Sequence, residues 1–285
     1  MTSAVTAPSA QGGRFWRRVR RHPVGLVAFA VLCGLYVAVI VGPSLYRVAP
    51  EATDALNVLA PPSPLHPLGT DELGRDMIAR LLYGGRLSWL MGILPVAIAF
   101  VLGTALGVLA GYAGGWVNAL VMRTTDVFYA FPSVLLAVAI SGALGPGLSN
   151  AILALTLVFV PPIIRVAETA TTAVRNLDYM DAARASGASA WQVVRAHVLG
   201  NVLGPVFVYA TGLISVCMIL ASGMSFLGLG TRPPEPEWGL MLNTLRTAIY
   251  TQPLVAVLPG ACIFATSILF NLLSDGLRQA MDVKG

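Results

Sequence analysis

The chain reads as an all-α integral membrane protein with six transmembrane helices. Two features of the sequence predict this class. Of its 285 residues, 56% are hydrophobic and only 11% charged, against roughly 25% charged in an ordinary soluble domain. Uncharged stretches cover 24–46, 87–122, 127–164, 198–231 and 247–274, and a bilayer-spanning helix needs about 20 apolar residues.

Each element follows in order. Residues 1–23 form a basic N-terminus containing Arg14, Arg17, Arg18, Arg20 and Arg21. They look like the start of a signal peptide, but the apolar run after them is too long and lacks a small-residue cleavage site. The first span is therefore uncleaved, at 24–46, with the N-terminus inside. An extracytoplasmic loop at 47–86 follows, rich in proline (Pro50, Pro61, Pro62, Pro64, Pro67). Five more helices are expected between 87 and 275. The run 87–122 is too long for one span and too short for two. Gly111, Gly114 and Gly115 near its end predict one span and then a short loop. The run 127–164 carries Gly145-Pro146-Gly147 near its middle, a combination that interrupts helices, so it holds two spans. The runs 198–231 and 247–274 supply the last two, and 276–285 is a cytoplasmic tail.

The positive charges agree with this count. Of the 18 lysines and arginines, only Arg47, Arg75, Arg80, Arg86, Arg232 and Arg246 fall on outer segments; the other 12 fall inside, as the positive-inside rule expects. A seventh span would reverse much of that bias. Pro95, Pro132, Pro161, Pro162, Pro205 and Pro259 lie in or beside spans, where neighbouring helices can re-satisfy the freed carbonyls. Cys33, Cys217 and Cys262 all lie in apolar runs and imply no disulfide framework.

One inner segment is polar. Leu177, Met180, Ala183 and Arg184 give a helix with a mostly apolar face, and Asp178 and Asp181 suit its positive end. Gly187 follows as a left-handed cap. Ser189 and Gln192 form a capping box that starts a second helix. The pair fits a structural elbow or a plug for a partner's groove, since Ala182, Ala183, Ala185, Gly187 and Ala188 permit close approach. As a DNA-binding unit it has too few basic residues for phosphate contacts, so no nucleic-acid partner is expected.

Resemblance sharpens the choice. Asp181-Ala182-Ala183, then Gly187, then Val198-Leu199-Gly200-Asn201 resembles the cytoplasmic signature of type I ATP-binding cassette importer permeases. Aspartate replaces the family's usual glutamate, and Gly200 stands where the family has proline. "HPLGTDELGRD" (66–76), "GGWVNALVMRTTDVFYAFP" (114–132), "SFLGLGTRPPEPEWG" (225–239) and "NLLSDGLRQAMD" (271–282) are similar to the C-type subunit of the dipeptide, oligopeptide and nickel permeases. The resemblance implies a heterodimer with a second homologous permease, two cassette ATPases below and an extracytoplasmic binding protein, in a bacterial cytoplasmic membrane. Asp181, Ala182, Ala183, Gly187 and Ala188 would couple to the ATPases. Gly69, Thr70, Asp71, Gly74, Arg75 and Asp76 would face the binding protein. Read on its own, the stretch 71–80 alternates acid and base, which favours pairing within the chain.

The chemistry expected of the chain is limited. Its only lysine, Lys284, follows no glycine-rich loop, so a phosphate-binding P-loop is absent. ATP and magnesium therefore belong on partner subunits, and no cofactor or metal is expected here. Gly223-Met224-Ser225 has no histidine within its span to activate the serine; His22, His66 and His197 all lie outside span interiors. Asp126 and Glu168 are placed at inner span ends, with Glu168 pairing to Arg165 or Thr172 on its own helix. The spans then offer no charge clamp for a peptide's two termini and no ligands for bare nickel. The expected function is import, di- or oligopeptides first. The alternatives are a nickel or metal-chelate importer of the same family, and a self-powered carrier or channel.

Overall fold

The computed structural model describes residues 23–281. The basic N-terminal arginines and Lys284 lie outside the described residues. All the regular elements are helical: α1 (Pro23–Leu45), α2 (Met77–Ala113), α3 (Gly115–Tyr129), α4 (Ser133–Leu144), α5 (Leu148–Arg175), α6 (Asp178–Ala185), α7 (Ala190–Val193), α8 (Leu199–Phe226), α9 (Trp238–Thr244) and α10 (Pro253–Met281). A π-helical turn, Val194–Val198, joins α7 to α8, and a 3-10 turn, Leu245–Tyr250, follows α9.

Among the described residues five helices are long and apolar enough to span a bilayer, and α3 with α4, bent by 89°, make a sixth crossing if the pair counts as one span. Two of the expected boundaries move. Residues 115–126, expected as loop, are helical, and the break comes at Ala130–Pro132, because proline disfavours helical backbone in the residue before it. The second span starts at Met77, ten residues before its expected start. Asp76 caps it, its Oδ1 accepting from Ala79 N at 2.9 Å. Arg80 and Arg86, which suggested loop, lie on this helix with their charges satisfied inside the protein.

The two ends of the bundle are chemically distinct. At one end, Gly25 packs on Gly276 and Arg175 Nη1 donates to Gly111 O at 3.3 Å; α6 and α7 lie here. At the other end Arg232 Nη2 donates to Pro146 O at 2.8 Å, and residues 46–76 form a strap.

α2 and α5 run in the same direction and make the most extensive helix–helix contact among the described residues. Gly103, Gly107 and Gly111 recur every fourth residue and so share one face of α2. A Cβ on Gly107 would stand 2.6 Å from Ile164 O and from Ala167 Cβ, and one on Gly111 would stand 2.8 Å from Glu168 O. Small residues at this spacing let membrane helices approach closely where the hydrophobic effect gives no drive.

α1 is held by hydrogen bonds as well as packing. Pro43 has no N–H, so Val39 O loses its donor within the helix. Arg86 replaces it, Nε donating to Val39 O at 3.1 Å and Nη2 to Ile40 O at 2.7 Å. Glu237 anchors the loop after α8. It is 1% exposed, accepts from Ser88 Oγ and Gly239 N, both at 2.9 Å, through Oε1, and from Leu240 N at 2.9 Å through Oε2. A buried carboxylate with several donors avoids the cost of an unpaired charge.

Candidate functional site

The helix pair at the end opposite the strap is built from the inside outward. Met180, Val193 and Val198 are fully buried in the main core, and Ala183 and Ala188 pack against it. Gly187 lies between the helices at φ +82°, with nothing within 4 Å of a Cβ placed there. Its requirement for glycine is therefore conformational, since side-chain-bearing residues rarely adopt that backbone. The capping box forms in full: Ser189 Oγ accepts from Gln192 N at 3.4 Å, and Ser189 N donates to Gln192 Oε1 at 2.8 Å. Asp181, Ala182 and Gly187 are exposed, as is Trp191 at 68%. Asn201 Nδ2 donates to His197 O at 2.6 Å, beside the π-helical turn. That turn left no signal in the sequence. Gly200 lies one residue into α8 and has open space around it.

The strap is a folded unit. Thr70, Asp71, Arg75 and Asp76 are all buried, so the alternating charges pair within the chain. Asp71 Oδ1 accepts from Leu73 N and Arg75 N, and its Oδ2 from Arg75 Nε at 2.7 Å. Arg80 Nε stands 3.0 Å from the same Oδ2 without hydrogen-bond alignment, while Arg80 Nη1 donates to Pro50 O at 3.1 Å. Asp76 Oδ2 accepts from Tyr46 Oη at 2.9 Å and lies 2.9 Å from His66 Nδ1. Burial, and then the Asp76 contact, push the Tyr46 hydroxyl up to about 12. Asp54 is held below the usual carboxylate range by donation from Asn57 Nδ2 and Leu56 N. Thr70 Oγ1 donates to Asn57 O and accepts from Ala60 N at 2.8 Å. Gly69 (φ +79°) and Gly74 (φ +73°) turn the chain where a side chain would strike backbone, 1.9 Å from Asp54 O at Gly74. The surface left to solvent is made by other residues, including Leu56 at 95% exposure and Leu65 at 72%.

A third polar cluster joins α3 to α5. Arg165 sits inside α5, ten residues before its last residue, or about 15 Å along the axis. Its partner is Asp126 of α3: Nη2 donates to Oδ1 at 2.6 Å, and the two side chains are 46% and 49% exposed. The guanidinium also lies 4.6 Å from the Tyr129 ring centroid. Glu168 does not pair with Arg165. It accepts from Asn118 Nδ2 at 2.7 Å and from Thr172 Oγ1 at 3.1 Å. The charge-free runs hid this cluster because α3 and α5 both continue past their charged residues. Among the described residues no group of three His, Cys, Asp or Glu side chains converges as metal ligands would.

Comparison with known proteins agrees with this architecture. Residues 103–284 match binding-protein-dependent transport system inner membrane components, and residues 10–62 match the N-terminal TM domain of oligopeptide transport permease C. The chain is 39% identical to the glutathione transport system permease protein GsiD of Pectobacterium atrosepticum, covering 95% of this chain and 90% of that protein. It is 37% identical to the probable D,D-dipeptide transport system permease protein DdpC of Escherichia coli K12, covering 99% and 96%. It is 36% identical to the dipeptide transport system permease protein DppC of Alkalihalophilus pseudofirmus, covering 94% and 88%. Among solved structures, an inward-facing MetNI methionine ABC transporter shares the fold, with a TM-score of 0.57 and 21% identity over 72% of this chain and 98% of that one. Bundle, strap and exposed helix pair thus define a membrane-embedded permease subunit of an importer. The chain belongs to the family of binding-protein-dependent transport system inner membrane components. It is a transporter subunit and not an enzyme; in such importers ATP is hydrolysed on separate ATPase chains.

Proposed function

We propose that this chain is the C-type permease subunit of an ATP-driven importer of di- or oligopeptides, set in a bacterial cytoplasmic membrane with both termini in the cytoplasm. The observation that carries the reading is the helix pair, exposed outside and rooted in the core inside, on the end of the bundle opposite the strap. A surface anchored on Met180, Val193 and Val198 can pass a push from outside directly into α8. Its partners are two cassette ATPases holding ATP and magnesium, which meet Asp181, Ala182, Ala183, Gly187 and Ala188. A second homologous permease completes a heterodimer. Gly69, Thr70, Asp71, Gly74, Arg75 and Asp76 hold the strap in shape, and its exposed residues such as Leu56 and Leu65 meet the loaded binding protein. The permease unit, placed by sequence at 87–275, then begins with α2 at Met77.

Peptide as the substrate rests on relatives whose names include dipeptide, D,D-dipeptide and glutathione transport. The test is ATP hydrolysis by the purified complex in proteoliposomes. Peptide-loaded binding protein should raise it well above the basal rate, and nickel should not. Stimulation by nickel in place of peptides would overturn the substrate assignment. A chain that transports after removal of every ATPase subunit would overturn the importer reading altogether.

A further inference from the structure

The Asp126–Arg165 pair is a feature of the bundle that the fold and the coupling surface leave unexplained. An ion pair inside spanning helices does not face hydrocarbon, and ionisable groups there turn toward a bundle interior or a water-filled cavity. Nor does a half-exposed pair gain from being sealed under an apolar partner, because desolvation outweighs attraction. About half exposed, the pair is open to water on the face that this subunit leaves uncovered.

A cavity of about 290 Å3 opens at the elbow between α3 and α4, lined in part by Tyr129, Phe131, Phe159 and Tyr209. That is near the lower limit of about 300–1,000 Å3 for small-molecule sites. Tyr129 belongs to both places, since its ring also lies under Arg165. The ion pair and the aromatic recess are thus neighbours joined through Tyr129, the charged side chains standing beside the recess and not in its lining. This is the chemistry that would receive a small zwitterion bearing an apolar side chain.

We propose that this elbow is a transient substrate station on the translocation path, an inference that rests on the peptide reading above. Arg165 takes the free carboxylate of a short peptide, Asp126 takes its ammonium, and the aromatic recess takes one apolar side chain. Before substrate arrives the two charges satisfy each other. Exposed pairs of this kind are weak, so substrate exchanges them at little cost and is released as readily. The station therefore guides passage without storing substrate.

The test is ATP-driven uptake by the complete importer in proteoliposomes, comparing a free dipeptide with its C-terminally amidated and N-acetylated forms. The same binding protein feeds every variant, so a change in preference relative to the parent belongs to the permease. Arg165→Gln should lower the free-to-amidated uptake ratio at least fivefold and leave the free-to-acetylated ratio in place. Asp126→Asn should do the reverse. Should either single variant fail to assemble, the charge-swapped Asp126→Arg/Arg165→Asp variant keeps an opposite-charge contact between α3 and α5. It should still lose at least fivefold on both ratios. Equal losses for all three substrates, or a swapped variant with parental ratios, would mean that the pair only braces the elbow. A parent complex that takes up no peptide at all would instead sink the peptide reading, and the station with it.

Discussion

Gly187 illustrates how one backbone angle can govern a surface. Its φ of +82° costs a residue with a Cβ about 1–2 kcal/mol, while the space around it is open. Asn, which tolerates this region best among residues with side chains, should therefore retain most transport. Gly187→Val should insert normally yet lose ATPase co-purification and uptake; normal uptake by the Val variant would show that the pair's geometry does not matter. Asp76 concentrates more bonds. Asp76→Ala removes an N-cap worth about 0.5–2 kcal/mol and strands the Tyr46 hydroxyl and His66. The strap should become sensitive to protease added from outside while the bundle stays folded. Because the folded Tyr46 pKa is raised to about 12 from 10.0, the contribution of its neutral form is fully present below 10 and fades only as pH rises through 12. Tyr46→Phe should accordingly weaken the strap equally at pH 6 and pH 8, measured by the same proteolysis.

At the scale of elements, the glycine column of α2 sets how near α5 can come. Gly107→Leu forces a side chain against Ile164 O and Ala167. Overpacking of this kind costs about 1–3 kcal/mol. Thermal melting in detergent should fall for Gly107→Leu and not for Gly34→Leu, where a Cβ on α1 meets nothing within 4 Å. Equal melting would mean that α2 and α5 are held elsewhere. This column is readable at i, i+4 and i+8, but Gly111 beside Gly114 and Gly115 reads equally as a helix end. The start of α2 was readable too, since Asp76 before Met77 is a good N-cap. What hid it is that the uncharged run marking the span begins only after Arg86: the charge alternation over 71–80 foretells a partner such as Asp71 for Arg80, but no local pattern displays its contact with Pro50 O. The Arg86 bond to α1 spans more than 40 residues, and no periodicity reports such a contact. The capping box and Gly187, by contrast, are local and were legible in full.

For the whole molecule, the two ends give a sidedness that labelling can check. In a background without native cysteines, a cysteine at Leu56 should react with an impermeant thiol reagent in intact cells. One at Ser189 should react only after the membrane is opened. Labelling of position 189 from outside would invert the topology. The number of crossings was legible in run lengths and arginine bias, because both reflect the bilayer itself. The bent α3–α4 crossing was not, because Gly114-Gly115 reads as the loop while the helix in fact resumes there and breaks only at Ala130–Pro132.

The contact between Gly25 and Gly276 has a consequence in time. A Cβ on Gly25 would meet Gly276 Cα at 3.0 Å, so α1 beds against α10 backbone to backbone. The ribosome makes α1 before any other described helix and α10 after all of them. For nearly the whole of synthesis the first helix waits in lipid with its α10 seat unbuilt, tied by Arg86 and by side-chain packing such as Tyr36 on Trp89 once α2 has emerged. Maturation of this subunit therefore closes like a clasp, and a chain stalled before α10 would leave α1 loose for quality-control proteases to find.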